Sequence, residues 1–234
     1  MQFSQKLIHG TLKRRYKRFL ADVVLDDGQL VTAHCTNSGS MKSCIEEGAA
    51  VYLSPANDPK RKTQFTWEMI QIKGSWVGIN TSNPNLLAFE GIRDKTIPGL
   101  SGYNNVRREV KFGDSRFDIY AENTIEKCFV EVKNVTYREG EYALFPDAVT
   151  SRGLKHLKTL QKVKEEGKRA VMLYIIQRTD ILFFDTAGEI DPSYAQALRE
   201  AEKNGVEILP VMAKVTPEEI KIIRTVPWKK REQA

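Results

Sequence analysis

Ser115-Arg-Phe-Asp-Ile-Tyr120, a polar connection over Ala121–Lys127, and Cys128-Phe-Val-Glu-Val-Lys-Asn-Val-Thr136 form the stretch around which this chain is organised. Both flanks alternate as half-buried strands do. In the first, Phe117, Ile119 and Ala121 fall on one side, and Arg116, Asp118 and Tyr120 on the other. In the second, the period of two places Glu131 and Lys133 on one face, one pleat apart. Glu122-Asn123-Thr124 carries turn chemistry, so the strands are expected to pair as a hairpin and bring Asp118 beside Glu131. Two carboxylates suit a hard divalent cation such as Mg²⁺ or Mn²⁺, which prefers oxygen ligands. Such an ion lowers the pKa of a water it holds, and a neighbouring lysine can stabilise charge building on a phosphate. Glu-Xaa-Lys alone is common and reads as a surface ion pair of little weight. Asp118 on the adjoining strand, and the apolar setting of Phe129, Val130, Val132 and Val135, tip the reading towards a functional trio.

The rest of the chain limits what that trio can serve. A length of 234 residues suits one large domain or two small ones. The longest unbroken apolar run, Ala170–Ile176, is far too short to span a bilayer, and no apolar segment follows the basic N-terminus as a secretory signal requires. Cys35, Cys44 and Cys128 lack Cys-x-x-Cys spacing, which argues against zinc and a disulfide framework and fits a reducing, cytoplasmic setting. The net charge of +6 is concentrated: Lys6, Lys13, Arg14, Arg15, Lys17 and Arg18 have no acid among them up to residue 21. A local basic cluster is what a polyanion binder needs, although charge runs are more often merely solvated.

Leu12 to Leu25 reads as a loosely alternating strand, turned at Asp26-Asp27-Gly28 into a second over Leu30–Cys35. Phe19 is expected in the core, and Tyr16 fits core or surface equally. His34 beside Cys35 has no third partner and reads as structural; Asn37-Ser38-Gly39-Ser40 is loop chemistry. Strands over Gly48–Leu53, Thr63–Ile72 and Trp76–Ile79, with a polar turn at residues 57–62, bring the number to five, as in a small closed oligonucleotide-binding (OB) barrel. The polar segment Asn80–Asn85 divides residues 1–80 from 81–234. Beyond it a helix is expected over Asn85–Arg93, a strand over Val106–Phe112, the two strands above, and a loop from Tyr137 to Tyr142. A helix from about Val149 to Glu166 stops at Gly167. Most of its lysines read as a solvated face, while Arg152 and His156, one turn apart, read as a pair that reaches nucleic acid. Arg169–Gln177, apolar almost throughout, is a strand buried on both faces. A short strand over Ile181–Phe184, a helix from Asp191-Pro192 to Asn204, a strand over Val206–Val215 and a final short helix opened by Thr216-Pro217 follow. The basic tail, Trp228–Ala234, is expected to fray.

Four motifs carry a resemblance: Arg-Tyr-Lys-Arg-Phe-Leu-Ala-Asp-Val (Arg15–Val23), His-Cys-Thr-Asn-Ser-Gly-Ser-Met (His34–Met41), Glu-Val-Lys-Asn-Val-Thr (Glu131–Thr136) and Phe-Pro-Asp-Ala-Val-Thr-Ser-Arg-Gly-Leu-Lys-His-Leu (Phe145–Leu157). Together they resemble the SfsA family, the bacterial sugar fermentation stimulation proteins, over almost the whole chain. One departure is Thr36, where that family usually shows proline. The resemblance implies an N-terminal five-stranded OB-like barrel followed by a PD-(D/E)XK restriction-endonuclease-like α/β domain. It also implies non-specific DNA binding and a role in regulating sugar, especially maltose, metabolism. It matches Asp118, Glu131 and Lys133 to the acids and lysine of the nuclease motif, with Phe117 in place of the motif's proline. Glu90, on the helix before the sheet, stands where many such nucleases carry a further metal-binding acid, and Glu109 is the rival.

The expected function is therefore a DNA-binding protein with a Mg²⁺- or Mn²⁺-dependent phosphodiesterase site. Its DNA contacts would come from Lys13, Arg14, Arg15, Lys17, Arg18, Arg152 and His156. The alternative is a regulator that keeps the nuclease fold without turnover. An enzyme of sugar phosphates finds no phosphate loop in this sequence. The oligomeric state stays open, a homodimer among the options.

Overall fold

The computed structural model describes residues 1–56 and 58–231; Asn57, the first residue of the expected polar turn, and residues 232–234 of the tail lie outside the described residues. The N-terminal strands are β1 (Ile8–Tyr16), β2 (Leu20–Leu25), β3 (Leu30–His34), β4 (Ala50–Pro55), β5 (Phe65–Ile72) and β6 (Ser75–Gly78). They lie in the order β3-β2-β1-β4-β5-β6, and a parallel contact that sets Ala33 opposite Phe65 closes the first five into a barrel. Leu12, Val23, Ala33, Val51, Leu53, Trp67 and Ile70 fill its interior and are fully buried.

The five-stranded OB barrel is thus present, with a membership that differs from the expectation. Leu12–Leu25 is not one strand. The chain folds back at Lys17-Arg18-Phe19, where Lys17 and Arg18 adopt φ of 50° and 63°. Turns of that kind normally advertise themselves through glycine or asparagine, and here neither is present. The fold-back carries Phe19 out of the expected core to a tip where it is 49% exposed. Trp76–Gly78, expected within the barrel, pairs with β5 outside the ring.

The remainder forms α1 (Asn83–Arg93), β7 (Asn105–Phe112), β8 (Ser115–Glu122), β9 (Lys127–Val135), β10 (Tyr137–Glu139), β11 (Tyr142–Phe145), α2 (Ser151–Glu165), β12 (Arg169–Ile176), β13 (Phe183–Thr186), α3 (Pro192–Lys203), β14 (Glu207–Val215) and β15 (Ile220–Thr225). Six strands make a mixed sheet in the order β15-β14-β12-β9-β8-β7, parallel across β9, β12 and β14 and antiparallel towards both edges. α1 covers one face, and α2 with α3 the other. β12 shows why its sequence has no polar alternation. Val171, Leu173 and Ile175 pack on the α1 side, while Ala170, Met172, Tyr174 and Ile176 pack on the α2/α3 side. Thr150 caps α2 by accepting from the Gly153 amide at 3.0 Å, and Asp191 caps α3 through the Tyr194 amide at 2.9 Å. Among the described residues no helix is long and apolar enough to cross a membrane.

Three local expectations are corrected. Thr216-Pro217 opens a turn closed by the Thr216 amide on the Glu219 carbonyl, and the chain returns as β15 rather than as a helix. A Thr-Pro pair suits a tight turn as well as a helix start, and the alternating burial of Ile220 and Ile222 decides for a strand. Tyr137–Tyr142 is a hairpin of β10 and β11 turned at Gly140, whose φ is 57°. The tail does not fray up to Arg231, which pairs with Glu139 and Glu189 while the Lys229 amide bonds the Phe184 carbonyl.

The two halves are joined by a buried carboxylate. Glu68 on β5 accepts from Ser54 Oγ at 2.6 Å, Asn80 Nδ2 at 2.9 and 3.0 Å, and Asn83 Nδ2 at 3.0 Å. It therefore ties the barrel to the segment that leads into α1. Met69, the next residue, packs into the core beneath α1, so β5 is covered on both sides. Glu68→Ala should leave these donors short of an acceptor and cost about 1–3 kcal/mol of stability. Urea denaturation of the full chain reads this out, and an unchanged midpoint would show that the joint is held by other interactions.

Candidate active site

The site forms where two neighbouring strands part. β8 and β9 pair from Glu122 opposite Lys127 to Ile119 opposite Val130, and the ladder ends there. The next residue, Asp118, fills the gap with its side chain. Its Oδ2 accepts from the Val132 backbone amide at 2.8 Å, and its Oδ1 from Asn85 Nδ2 on α1 at 2.7 Å. This parting also breaks the expected alternation. Ile119 and Ala121 face the α1 side, but Phe117 packs on the opposite side, against Phe112 and Phe129.

Glu131 and Lys133 share a face of β9, as the period of two requires. Lys133 Nζ lies 2.5 Å from Glu131 Oε1. His156 of α2 meets the same oxygen through Nδ1. Because an ionised carboxylate only accepts, the imidazole donates. Glu131 is only 2% exposed, and its second oxygen, Oε2, has no hydrogen-bond partner among the described residues. Burial opposes ionisation of Glu131, but the His156 hydrogen bond and the Lys133 charge outweigh it and hold the carboxyl below its ordinary range. Asp118 is pushed the other way: burial, and then the charge of Glu131, raise its pKa despite the Val132 amide and Lys133. Two neighbouring carboxyls driven apart in pKa form a pattern common where acids do chemistry.

Oxygen donors for a hard cation are therefore at hand. Glu131 Oε2 is unclaimed, and each Asp118 oxygen accepts one bond and keeps a further lone pair. Among the described residues no group of three or more His, Cys, Asp or Glu side chains is arranged to hold a metal. A cation here would take two carboxylates and complete its shell with water, as Mg²⁺ commonly does.

The other expected site residues are distributed differently. Glu90 lies on another face of α1 and pairs with the N-terminal amine of Met1 at 3.2 Å. Asn85, which the sequence did not single out, is the α1 residue that reaches Asp118. Glu109 sits opposite Asp118 in the β7–β8 register with φ of 56°, but its exposed carboxylate lies 3.9 Å from Arg116. His156 is buried against Glu131, so it supports the site and offers no surface to a phosphate backbone. Its position beside Leu157, and one turn before Leu160, on the buried stripe of α2 was the available signal. Arg152 is exposed and makes no hydrogen bond or ion pair among the described residues. In the basic cluster, Arg14 is bound to Asp22 at 2.9 Å, and Arg15 holds the carbonyls of Asn37 and Gly39 at 2.8 and 3.1 Å. Lys13, Lys17 and Arg18 are exposed.

Comparison with known proteins agrees with this architecture. Residues 14–79 match the SfsA N-terminal OB domain, and residues 82–219 match the sugar fermentation stimulation protein RE domain. A sugar fermentation stimulation protein homolog of Geobacter metallireducens is 51% identical over 97% of this chain and 99% of its own length. The homolog of Gloeobacter violaceus is 44% identical over 94% of each chain. The solved structure of Pyrococcus furiosus SfsA in complex with Ca²⁺ superposes with a TM-score of 0.88 at 29% identity, covering 98% of both chains.

The raised pKa of Asp118 has a consequence for stability. For an acid bound more tightly to its proton when folded, the stabilising contribution is present at low pH and is lost as pH rises through the folded-state value. At neutral pH without added metal, Asp118→Asn should therefore melt above the wild type, by roughly 2–4 °C for each kcal/mol relieved. The difference should shrink as pH falls into the ordinary carboxylate range. A variant that melts lower at neutral pH in EDTA would overturn this account of the site.

Proposed function

The chain belongs to the sugar fermentation stimulation protein family, and from that premise we propose that it binds DNA and carries a Mg²⁺- or Mn²⁺-dependent phosphodiesterase site of the PD-(D/E)XK kind. The observation that carries this reading is the buried Glu131, with one oxygen unclaimed, set beside Asp118 and Lys133. A protein that only held a polyanion would gain nothing from two acids at this point. Asp118 and Glu131 would hold the cation. When bound, it would neutralise phosphate charge and make water a better nucleophile. Lys133 would meet charge developing on the phosphate, His156 would keep Glu131 ionised and oriented, and Asn85 would fix the Asp118 carboxylate. The Ca²⁺ complex of the Pyrococcus furiosus relative supports a preference for hard cations.

The OB barrel supports nucleic-acid binding, with Lys13, Lys17 and Arg18 among its exposed cations. Family membership is consistent with a role linked to sugar metabolism; control of maltose genes through DNA binding is the finer reading. The placement of Glu90 favours a second reading, a DNA-binding regulator without turnover, because no third acid from α1 joins the pair.

Lys133→Met separates the two. An ammonium has no lone pair for a cation, and the Met stem preserves packing. The variant should still bind DNA and Mn²⁺ yet lose cleavage by a factor on the order of 10². If wild-type protein cuts none of plasmid, single-stranded and branched DNA with either metal, the regulator reading replaces the enzyme.

The salt dependence of DNA affinity tests the basic surface. Lys17→Ala with Arg18→Ala should flatten the slope of log K against log salt by roughly 0.9 for each phosphate that is no longer neutralised. Arg14→Ala should change the slope little, since its charge is already spent on Asp22.

A further inference from the structure

Beyond Lys133 the α2-side face of β9 runs into a cleft of about 490 Å³ between the barrel and the C-terminal domain. Val135, one pleat past Lys133 or roughly 7 Å along the strand, lines it. The barrel contributes the Thr36–Gly39 loop, and the C-terminal domain contributes residues 134–137 and 144–150. Arg15 fixes the barrel wall through its bonds to Asn37 and Gly39, and the Met41 amide, 3.4 Å from Asp147, ties that wall to the opposite one.

The lining is neutral overall and mixed rather than cationic. Amides, hydroxyls and the Tyr137 ring share it with apolar groups such as Leu144, Phe145 and Pro146, and the charges are Arg18 and Asp147, which offset each other. A phosphate would meet no surplus of positive charge there. The Oδ1 atoms of Asn37 and Asn134 are taken by the Gly39 amide and Gln177 Nε2. Among the described residues neither Nδ2 makes a hydrogen bond, so both remain as donors. Val149, 75% exposed, belongs to this lining, and Phe19, 49% exposed, follows directly on Arg18, which also lines it.

Amide donors with an aromatic ring in a nucleotide-sized cavity make up the chemistry that reads a base taken out of its stack. We propose that this cleft holds an unpaired nucleobase of the strand whose backbone crosses Glu131 and Lys133, with Phe19 stacking on a neighbouring base. This rests on the nucleic-acid reading above and adds to it a substrate class: single-stranded or locally unpaired nucleic acid. A base within a continuous duplex cannot enter without leaving its partner, which costs unstacking and unpairing.

The test uses the full-length protein, fluorescence anisotropy, and one labelled strand offered alone, as a blunt duplex, and as a duplex with a mismatched bubble. Titrations run in EDTA and again with Ca²⁺ in place of Mg²⁺. Ser38 and Ala148 are exposed residues of the lining, so Ser38→Trp and Ala148→Trp fill the cleft without burdening the core. The wild type should bind the single strand and the bubble about tenfold or more tighter than the duplex, and Phe19→Ala should weaken single-strand binding roughly tenfold. Both Trp variants should lose most of that preference while keeping duplex affinity. Equal wild-type affinity for all forms, or a preference untouched by both Trp variants, would overturn the cleft assignment and leave the proposed function standing. If the wild type binds no nucleic acid in either condition, the proposed function itself fails and the cleft assignment with it.

Discussion

A carboxylate that is almost wholly buried governs the C-terminal domain. Glu131 lies on β9, near the middle of the sheet and under α2, where an ionised side chain is costly unless it is matched. Lys133 supplies a charge from the same strand and His156 a hydrogen bond from the helix above. Both act on one oxygen and leave the other free. The position of α2 over the sheet is therefore tied to the site, because moving the helix would strip Glu131 of a partner. Asp118 answers from the neighbouring strand by taking the place of a ladder bond to Val132. A break in regular pairing thus brings a second carboxylate beside the first.

A comparable device sets the barrel against this domain. Glu68 is buried with three neutral side chains as its donors, and they come from both sides of the junction. Arg15, from the basic segment, is drawn into holding the Asn37–Gly39 loop. Charged residues that look like surface ornaments in the sequence thereby become parts of the scaffold. In the basic segment Lys13, Lys17 and Arg18 stay exposed, as does Arg152 on α2. Arg18 at the hairpin tip lines the interdomain cleft, as does Val135 of β9, the strand that carries Glu131.

Much of this was legible locally. The Glu131–Lys133 pairing follows from a period of two, which depends only on adjacent residues in one strand. The double burial of β12 follows from its unbroken apolar run. Asp191 announces a helix start because capping joins residues three apart. The four motifs identified the family, and five strands in the first 80 residues pointed to a barrel that the structure contains.

Tertiary structure alone decided which groups meet through space. The Lys17-Arg18 fold-back carries no glycine, and its left-handed backbone is held by the β1–β2 pairing on either side. Phe117 changes sides because β8 leaves β9 at Asp118, an event that no alternation within β8 records. Glu90 and Asn85 occupy one helix, yet only the docking of α1 determines that the amide meets Asp118 and the acid meets the N-terminus. Sequence periodicity reports which face a side chain takes within its own element; what lies opposite that face is set by how the elements pack.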